Sequence, residues 1–136
     1  MYKPFLKTAT LLGLLTVALG AFGAHSLKGK ISDYAVSIFE TAVRYQFYHV
    51  FALLAAGILH QAYPSRYIRW AGELFIAGII LFCGSLYFLT YVKGLVLPGY
   101  DWVGAITPIG GLAFMLGWLF LFLGVSTYKA GLNDKP

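Results

Sequence analysis

The stretch Phe39-Glu-Thr-Ala-Val-Arg-Tyr-Gln-Phe-Tyr-His49 leads directly into the apolar segment from Val50 to Leu59. It brings together an acid, an arginine, an amide, two tyrosines and a histidine just before a segment of membrane character. Neither glycine nor proline interrupts residues 34–56, and Ser32 or Asp33 is a suitable helix N-cap. The pattern predicts one long helix, which begins at the membrane interface and continues across the bilayer.

The composition of the chain is that of a membrane protein. Of its 136 residues, 60% are hydrophobic and only 11% are charged, and the mean hydropathy is +0.76. A soluble domain carries about 25% charged residues, and the apolar residues here form long blocks. The net charge of +5 comes from cations in connections and chain ends, where they contact headgroups, so it does not indicate nucleic-acid binding. A chain of this length is expected to form a single domain, residues 1–136.

Four hydrophobic segments approach or exceed the roughly 20 residues that cross a bilayer. They cover about residues 5–24, 43–62, 70–92 and 102–127. The apolar run of the first segment, residues 8–24, follows Lys3 and Lys7 and, with Ala21-Phe-Gly23 as a cleavage site, also resembles a secretory signal peptide. Because three more hydrophobic segments follow, we interpret it as a retained span. The sequence predicts an all-α integral membrane protein: an antiparallel four-helix bundle with an interfacial helical extension before the second span.

Lysine and arginine residues indicate the orientation of the spans. Four spans place both termini on one side of the membrane, which then carries six cations against four on the opposite side. The six are Lys3, Lys7, Arg66, Arg69, Lys129 and Lys135, and the four are Lys28, Lys30, Arg44 and Lys93. Cytoplasmic connections carry the excess of positive residues. The count therefore favours a multi-pass protein of the cell inner (plasma) membrane with both termini in the cytoplasm.

Small residues recur at seven-residue intervals along the predicted spans. This spacing keeps them on one face, where small side chains let helix backbones approach closely in lipid. The predicted helix-packing residues are Gly13 and Gly20 in span 1, Gly78, Gly84 and Ser85 in span 3, and Gly110, Gly111, Gly117 and Gly124 in span 4. If the pair in span 3, Gly84-Ser85, opposes the pair Gly110-Gly111, the two helices close tightly there or admit a small ligand.

The polar residues of span 2 divide between two faces of the helix. The small-residue stripe of this span consists of Ala35, Ala42, His49 and Ala56. His49 is therefore predicted to face the bundle interior. At 100° per residue, Tyr45 and Gln46 fall within about 60° of the stripe and are predicted to point inward as well. Glu40 and Arg44 lie on the opposite face, one turn apart, and are predicted to form a structural ion pair.

Four residues form a candidate ligand-binding vestibule: His25, Tyr45, Gln46 and His49. His25 and His49 are predicted near the same membrane side, and two such histidines can ligate haem or a metal ion. The alternative is hydrogen bonding, of His49 to Tyr45 or a backbone carbonyl and of His25 to headgroups. We favour this alternative because buried polar residues in membranes commonly link helices. We therefore predict no metal site and no cofactor, and the lone Cys83 excludes an intrachain disulfide.

Several strings of residues resemble a family of small bacterial inner-membrane proteins of unknown function, the YgdD/YwdK type. These strings are Leu19-Gly-Ala-Phe-Gly-Ala-His25, Phe39-Glu-Thr-Ala-Val-Arg-Tyr-Gln46 with His49, Phe82-Cys-Gly-Ser-Leu-Tyr87, and Ile106-Thr-Pro-Ile-Gly-Gly111 with Gly117-Trp118. They follow one another along almost the whole chain. The resemblance implies a four-span membrane domain and brings no reaction, substrate or catalytic residue with it.

The sequence supports two main hypotheses about function. Nothing in it resembles a nucleophile–base pair, a phosphate-binding loop or a metal-binding run, so we predict that the protein is not an enzyme and has no catalytic residues. The first hypothesis is a structural or accessory subunit of a membrane complex, embedded in lipid and associated with itself or another membrane protein. The alternative is a small transporter, channel or lipophilic-ligand-binding protein that uses the polar vestibule. A haem or quinone redox protein is a third reading.

Overall fold

The computed structural model describes residues 1–127, and every regular element among them is helical. The four spans run over Lys3–Leu27, Asp33–Ala62, Arg66–Gly94 and Asp101–Ser126, and each is long and apolar enough to cross a membrane. This confirms the predicted all-α fold with four membrane-spanning helices. The predicted cations Lys129 and Lys135 lie outside the described residues.

Span 2 is a single α-helix, Asp33–Ala62, of 30 residues. It begins where the sequence indicated, because the Ser32 hydroxyl accepts a hydrogen bond from the Ala35 backbone N–H at 3.2 Å. At 1.5 Å per residue the helix is about 45 Å long, well beyond a hydrocarbon core of about 30 Å. The excess length corresponds to the interfacial extension. The sequence predicted this extension because neither glycine nor proline interrupts residues 34–56.

The other spans combine α-helix with short irregular turns. Span 1 is an α-helix, Lys3–Phe22, followed by the π-helical turn Gly23–Leu27. Span 3 consists of the α-helices Arg66–Gly78 and Gly84–Gly94, joined by the π-helical turn Ile79–Cys83. Span 4 starts with the 3₁₀ turn Asp101–Ala105 and continues as the α-helix Ile106–Ser126. Pro108 lies in the first turn of that helix, where a missing N–H is tolerated.

The spans pack in the order of the chain. Span 1 packs along span 2, span 2 along span 3, and span 3 along span 4. The N-terminal end of span 1 is held at the far end of span 2, where the Tyr2 N–H donates to the Gly57 carbonyl at 2.9 Å. One hydrophobic core cluster includes Leu53, Phe75 and Phe114 of spans 2, 3 and 4, and span 1 adds Phe5 and Ala9 to it. Span 2 therefore occupies the centre and positions its polar residues between three neighbours.

Glycines in the second half of the chain mark the closest approaches between spans 3 and 4. A Cβ added to Gly78 would collide with the Phe114 ring, and one added to Gly117 would meet the Phe75 ring at 2.7 Å. A Cβ on Gly110 would collide with the Phe82 backbone, which belongs to the π-helical turn of span 3. Gly124 approaches Ile68 in the same manner. Absence of side chains at these four positions lets the two helices pack.

The remaining predicted packing glycines have looser surroundings. On span 1, a Cβ at Gly13 or Gly20 would make ordinary contacts with Val50 or Val43 at 3.5 and 3.6 Å. A Cβ at Gly111 would also make ordinary contacts, at 3.7 Å or more. Gly84 was predicted as a packing residue, and this is wrong. No neighbouring atom lies within 4 Å of its Cβ position, and Gly84 is exposed, whereas the next residue, Ser85, is buried.

Candidate functional site

Gln46 connects three spans through its side-chain amide. Its Nε2 donates to the Thr16 Oγ1 of span 1 at 2.8 Å, and its Oε1 accepts from the Tyr87 hydroxyl of span 3 at 2.8 Å. Thr16 in turn donates its hydroxyl proton to the Leu12 carbonyl at 2.6 Å. Gln46 is only 4% exposed, so these bonds form where no water competes for them. In a nonpolar environment such bonds hold helices together.

His49 lies one turn further along the same helix and binds through both ring nitrogens. Its Nδ1 is 2.7 Å from the Tyr45 carbonyl, and its Nε2 is 3.2 Å from the Trp118 Nε1. An indole N–H can only donate, so the Nε2 of His49 accepts. Nδ1 therefore carries the proton and donates it to the Tyr45 carbonyl. This arrangement requires neutral His49 in a single tautomer.

Aromatic rings enclose the imidazole of His49. The Phe114 ring stacks on it with centroids 3.4 Å apart and planes 7° apart, and the Phe75 and Trp118 rings lie 5.8 and 6.2 Å away. His49 is 5% exposed. With Phe114 on one face and both nitrogens bound, the ring has no free nitrogen for a ligand or a metal ion.

A third polar contact joins spans 3 and 4. The Ser85 hydroxyl donates to the Phe82 carbonyl at 2.9 Å and shares a 2.7 Å bond with the Thr107 hydroxyl. Because the Ser85 proton is used on the carbonyl, Thr107 is the donor in the shared bond. Ser85, predicted as a packing residue, thus acts through a hydrogen bond across the interface.

We call these seven residues the interhelical hydrogen-bond network. Its members are Thr16, Gln46, His49, Ser85, Tyr87, Thr107 and Trp118. Within residues 1–127, no buried side-chain nitrogen or oxygen lacks a hydrogen-bond partner. Nor do three or more His, Cys, Asp or Glu side chains of this part of the chain come together as metal ligands would. The network fixes the four spans relative to one another. It leaves no buried side-chain nitrogen or oxygen of residues 1–127 without a hydrogen bond.

Only part of the predicted vestibule comes together. Gln46 and His49 are buried as expected, whereas Tyr45 is 39% exposed and packs its ring on Phe82 with centroids 4.8 Å apart. His25 is exposed and follows Gly23, which lies against the Phe39 ring. Phe39 precedes His49 by ten residues, about 15 Å of helix. The two histidines therefore do not meet.

Two members of the network had no role predicted from the sequence: Thr16 and Trp118. Thr16 lies three residues after Gly13 and four before Gly20, so it shares the face of the span 1 glycine stripe. A polar residue on a small-residue face was the signal that could have identified it. Trp118 carried no comparable signal in the sequence.

The ion pair of Glu40 with Arg44 is also a wrong prediction. Glu40 Oε1 lies 3.3 Å from the Lys28 Nζ, in the connection between spans 1 and 2. Because span 2 runs antiparallel to span 1, Lys28 in the connection between them lies next to Glu40. Glu40 therefore pairs with Lys28 and not with Arg44 on its own helix. Among the described residues, Arg44 has no carboxylate within ion-pair distance.

Comparison with known proteins identifies the family. The model of a family described as "Protein of unknown function (DUF423)" matches residues 19–111. The chain belongs to the DUF423 family. The match includes Gln46, His49, Ser85, Tyr87 and Thr107, but ends before Trp118. The predicted resemblance to membrane proteins of unknown function is thereby confirmed, while the narrower YgdD/YwdK type stays a prediction.

The chain is similar to several membrane proteins of staphylococci. A UPF0382 membrane protein of Staphylococcus aureus (strain bovine RF122 / ET3-1) is 45% identical over 127 residues, covering 93% of this chain and 97% of the relative. One from Staphylococcus haemolyticus is 43% identical over the same shares of both chains. A third, from Staphylococcus epidermidis, is 45% identical over 121 residues, 89% of this chain and 93% of the relative. No solved structure matches the chain.

Proposed function

We propose that this DUF423 protein is a structural or accessory subunit of a membrane complex, formed with itself or with another membrane protein, and that it carries out no catalysis. The observation that carries the proposal is the use of Gln46 and His49, whose polar atoms all bind within the chain. A catalytic or transport site needs polar groups directed toward a substrate. Here the buried polar side chains of Gln46 and His49 bind other parts of the chain and hold the helices together.

The outer surface supports the same proposal. Span 4 directs a broad set of large apolar side chains outward: Ile109, Leu112, Met115, Leu116, Leu119, Phe122 and Val125. Span 1 does the same with Leu11, Leu14, Leu15 and Val17. Only 17% of the most apolar part of span 1 is buried within the chain, against 44% for span 2. Two of the four spans are therefore available to lipid or to another membrane helix over most of their surface.

The alternative of a small transporter, channel or lipophilic-ligand-binding protein with a vestibule at His25, Tyr45, Gln46 and His49 receives less support. His25 does not meet His49, and the rings of Phe75, Phe114 and Trp118 surround His49. Opening such a vestibule would require breaking the Trp118–His49 hydrogen bond.

We further propose that the protein lies in the cell inner membrane with both termini in the cytoplasm. The N-terminus and the connection between spans 2 and 3 are at one end of the molecule, because the Arg69 guanidinium lies 6.0 Å from the centroid of the Tyr2 ring. Lys3, Lys7, Arg66 and Arg69 therefore share this end, and cationic residues are enriched on the cytoplasmic side.

Site-specific photo-crosslinking in the native membrane tests the role as a subunit. A photoreactive residue at Leu119 or Leu14, which face outward, is expected to give a crosslinked product of one defined protein mass. The matched control is Val96, which is 85% exposed in the connection between spans 3 and 4 and is expected to give no such product. The proposal fails if outward positions on all four spans give only lipid adducts and the solubilised protein migrates as a monomer.

A further inference from the structure

A groove of about 440 Å³ opens on the outer surface between spans 1 and 2. Its lining residues are Gly20, Gly23, Ala24, Phe39, Glu40, Val43, Arg44, Phe47 and Tyr48. On the span 1 side the lining residues have minimal side chains, which creates the space. On the span 2 side the deeper wall is apolar and partly aromatic. The charged residues Glu40 and Arg44 occur in the part nearest the start of span 2.

The charges at the groove favour an anion. Glu40 is already paired with Lys28 at 3.3 Å, so its negative charge is compensated. Within residues 1–127, Arg44 pairs with no carboxylate, which leaves the rim with one uncompensated positive charge. A guanidinium presents parallel N–H donors that match the oxygen atoms of a phosphate group.

The depth of Arg44 is that of the lipid headgroups. Span 2 exceeds the hydrocarbon core by about 15 Å, which is about ten residues of helix. From Tyr45 to Ala62 span 2 carries no Asp, Glu, Lys or Arg, so Arg44 is the last such charge before the apolar stretch and is expected at the boundary between headgroups and hydrocarbon. Val43 and Phe47 then extend the groove toward the bilayer centre.

We propose that this groove is a binding site for an anionic phospholipid. The phosphodiester group binds the Arg44 guanidinium, and an acyl chain lies along Gly20, Val43 and Phe47. The groove has a free cation at headgroup depth and an apolar wall below it. A phospholipid has its phosphate and its acyl chains in the same order. A second protein helix would instead need a partner for Arg44 at this depth. The proposal is independent of the proposed role as a subunit.

Native mass spectrometry of the full chain in detergent micelles tests the proposal. Phosphatidylglycerol and phosphatidylcholine of equal chain length are added in equal amounts. The wild type is expected to retain phosphatidylglycerol over phosphatidylcholine by about tenfold, because the choline ammonium compensates the phosphate charge of phosphatidylcholine and leaves less attraction to Arg44. Arg44→Gln is expected to remove the preference. The charge-matched control Arg66→Gln, at the opposite end of the bundle, is expected to keep it.

A second pair of variants tests the apolar part of the groove. Gly20→Leu fills the groove, and a Cβ at Gly20 makes only an ordinary contact with Val43 at 3.6 Å. Gly13→Leu adds the same side chain on the same helix face outside the groove, with a similar contact to Val50 at 3.5 Å. We expect Gly20→Leu to lower phosphatidylglycerol binding about tenfold, the factor for about two acyl CH₂ groups that lose their burial, and Gly13→Leu to leave it unchanged.

Several outcomes would overturn the proposal. One is equal retention of both lipids by the wild type, and another is an unchanged preference in Arg44→Gln. Undiminished binding in Gly20→Leu would show that the groove does not hold the acyl chain. A dimer or a bound foreign protein whose presence excludes the lipid, and which Gly20→Leu removes, would mean that a protein occupies the groove.

Discussion

Replacing Gln46 with Leu removes the amide that joins spans 1, 2 and 3 while keeping a side chain of similar size. Two hydrogen bonds are lost, from Gln46 to Thr16 and from Tyr87 to Gln46. Interhelical hydrogen bonds in membranes average about 0.6 kcal/mol and reach about 1.7 kcal/mol. We therefore expect the free energy of unfolding to fall by roughly 1–3 kcal/mol.

A double replacement distinguishes the hydrogen bond from simple loss of packing. Tyr87→Phe alone deprives the Gln46 Oε1 of its donor, and Gln46→Leu alone deprives the Tyr87 hydroxyl of its acceptor. In the double variant neither polar group remains, so the second change costs less than it does in the wild type. The expected coupling between the two positions is about 1 kcal/mol.

Unfolding by a denaturing detergent in mixed micelles, followed by circular dichroism, measures these differences. Tyr91→Phe is the matched control, because Tyr91 lies on the same helix but is 60% exposed; its free energy of unfolding should equal that of the wild type. Two results would refute the reasoning: an effect of Tyr87→Phe no larger than that of Tyr91→Phe, or strictly additive effects in the double variant.

Three further predictions concern other contacts. Gly110→Ala should lower the free energy of unfolding by about 1–3 kcal/mol because its Cβ meets backbone, whereas Gly111→Ala should change it little; equal effects in the same unfolding assay would contradict this. Trp118→Phe removes the donor to the His49 Nε2 and should cost about 1–3 kcal/mol; nitrogen-15 NMR of labelled histidine should show Nδ1 protonated in the wild type, and a proton on Nε2 instead would contradict the arrangement. Lys28→Gln removes an exposed ion pair and should cost less than about 1 kcal/mol, with an effect that salt diminishes; a larger, salt-independent loss would be inconsistent with it.

The sequence was most informative about elements whose signal is local. The hydrophobic runs predicted four spans, and the uninterrupted residues after Ser32 predicted the start and length of span 2. The seven-residue spacing placed His49 on a buried face, and it is 5% exposed. Each of these features depends on residues within a few turns of one helix, where periodicity and capping suffice.

Side-chain partners were predicted less well. Glu40 binds Lys28 rather than Arg44, because the connection between spans 1 and 2 places Lys28 beside the first part of span 2. Gly84 is exposed although its neighbour Ser85 is buried and contacts Thr107 of span 4. Consecutive residues of a helix point about 100° apart, so the two members of the pair Gly84-Ser85 do not both face span 4.

The sequence by itself determined that this DUF423 protein is a four-span membrane protein whose second span carries buried polar residues. Tertiary structure alone decided what those residues do. The proximity of Thr16 and Tyr87 to Gln46, and of Trp118 to His49, joins residues 30, 41 and 69 positions apart. A hydrogen bond requires its two atoms within about 3 Å, and only the packing of the helices brings residues so distant in the chain to that distance.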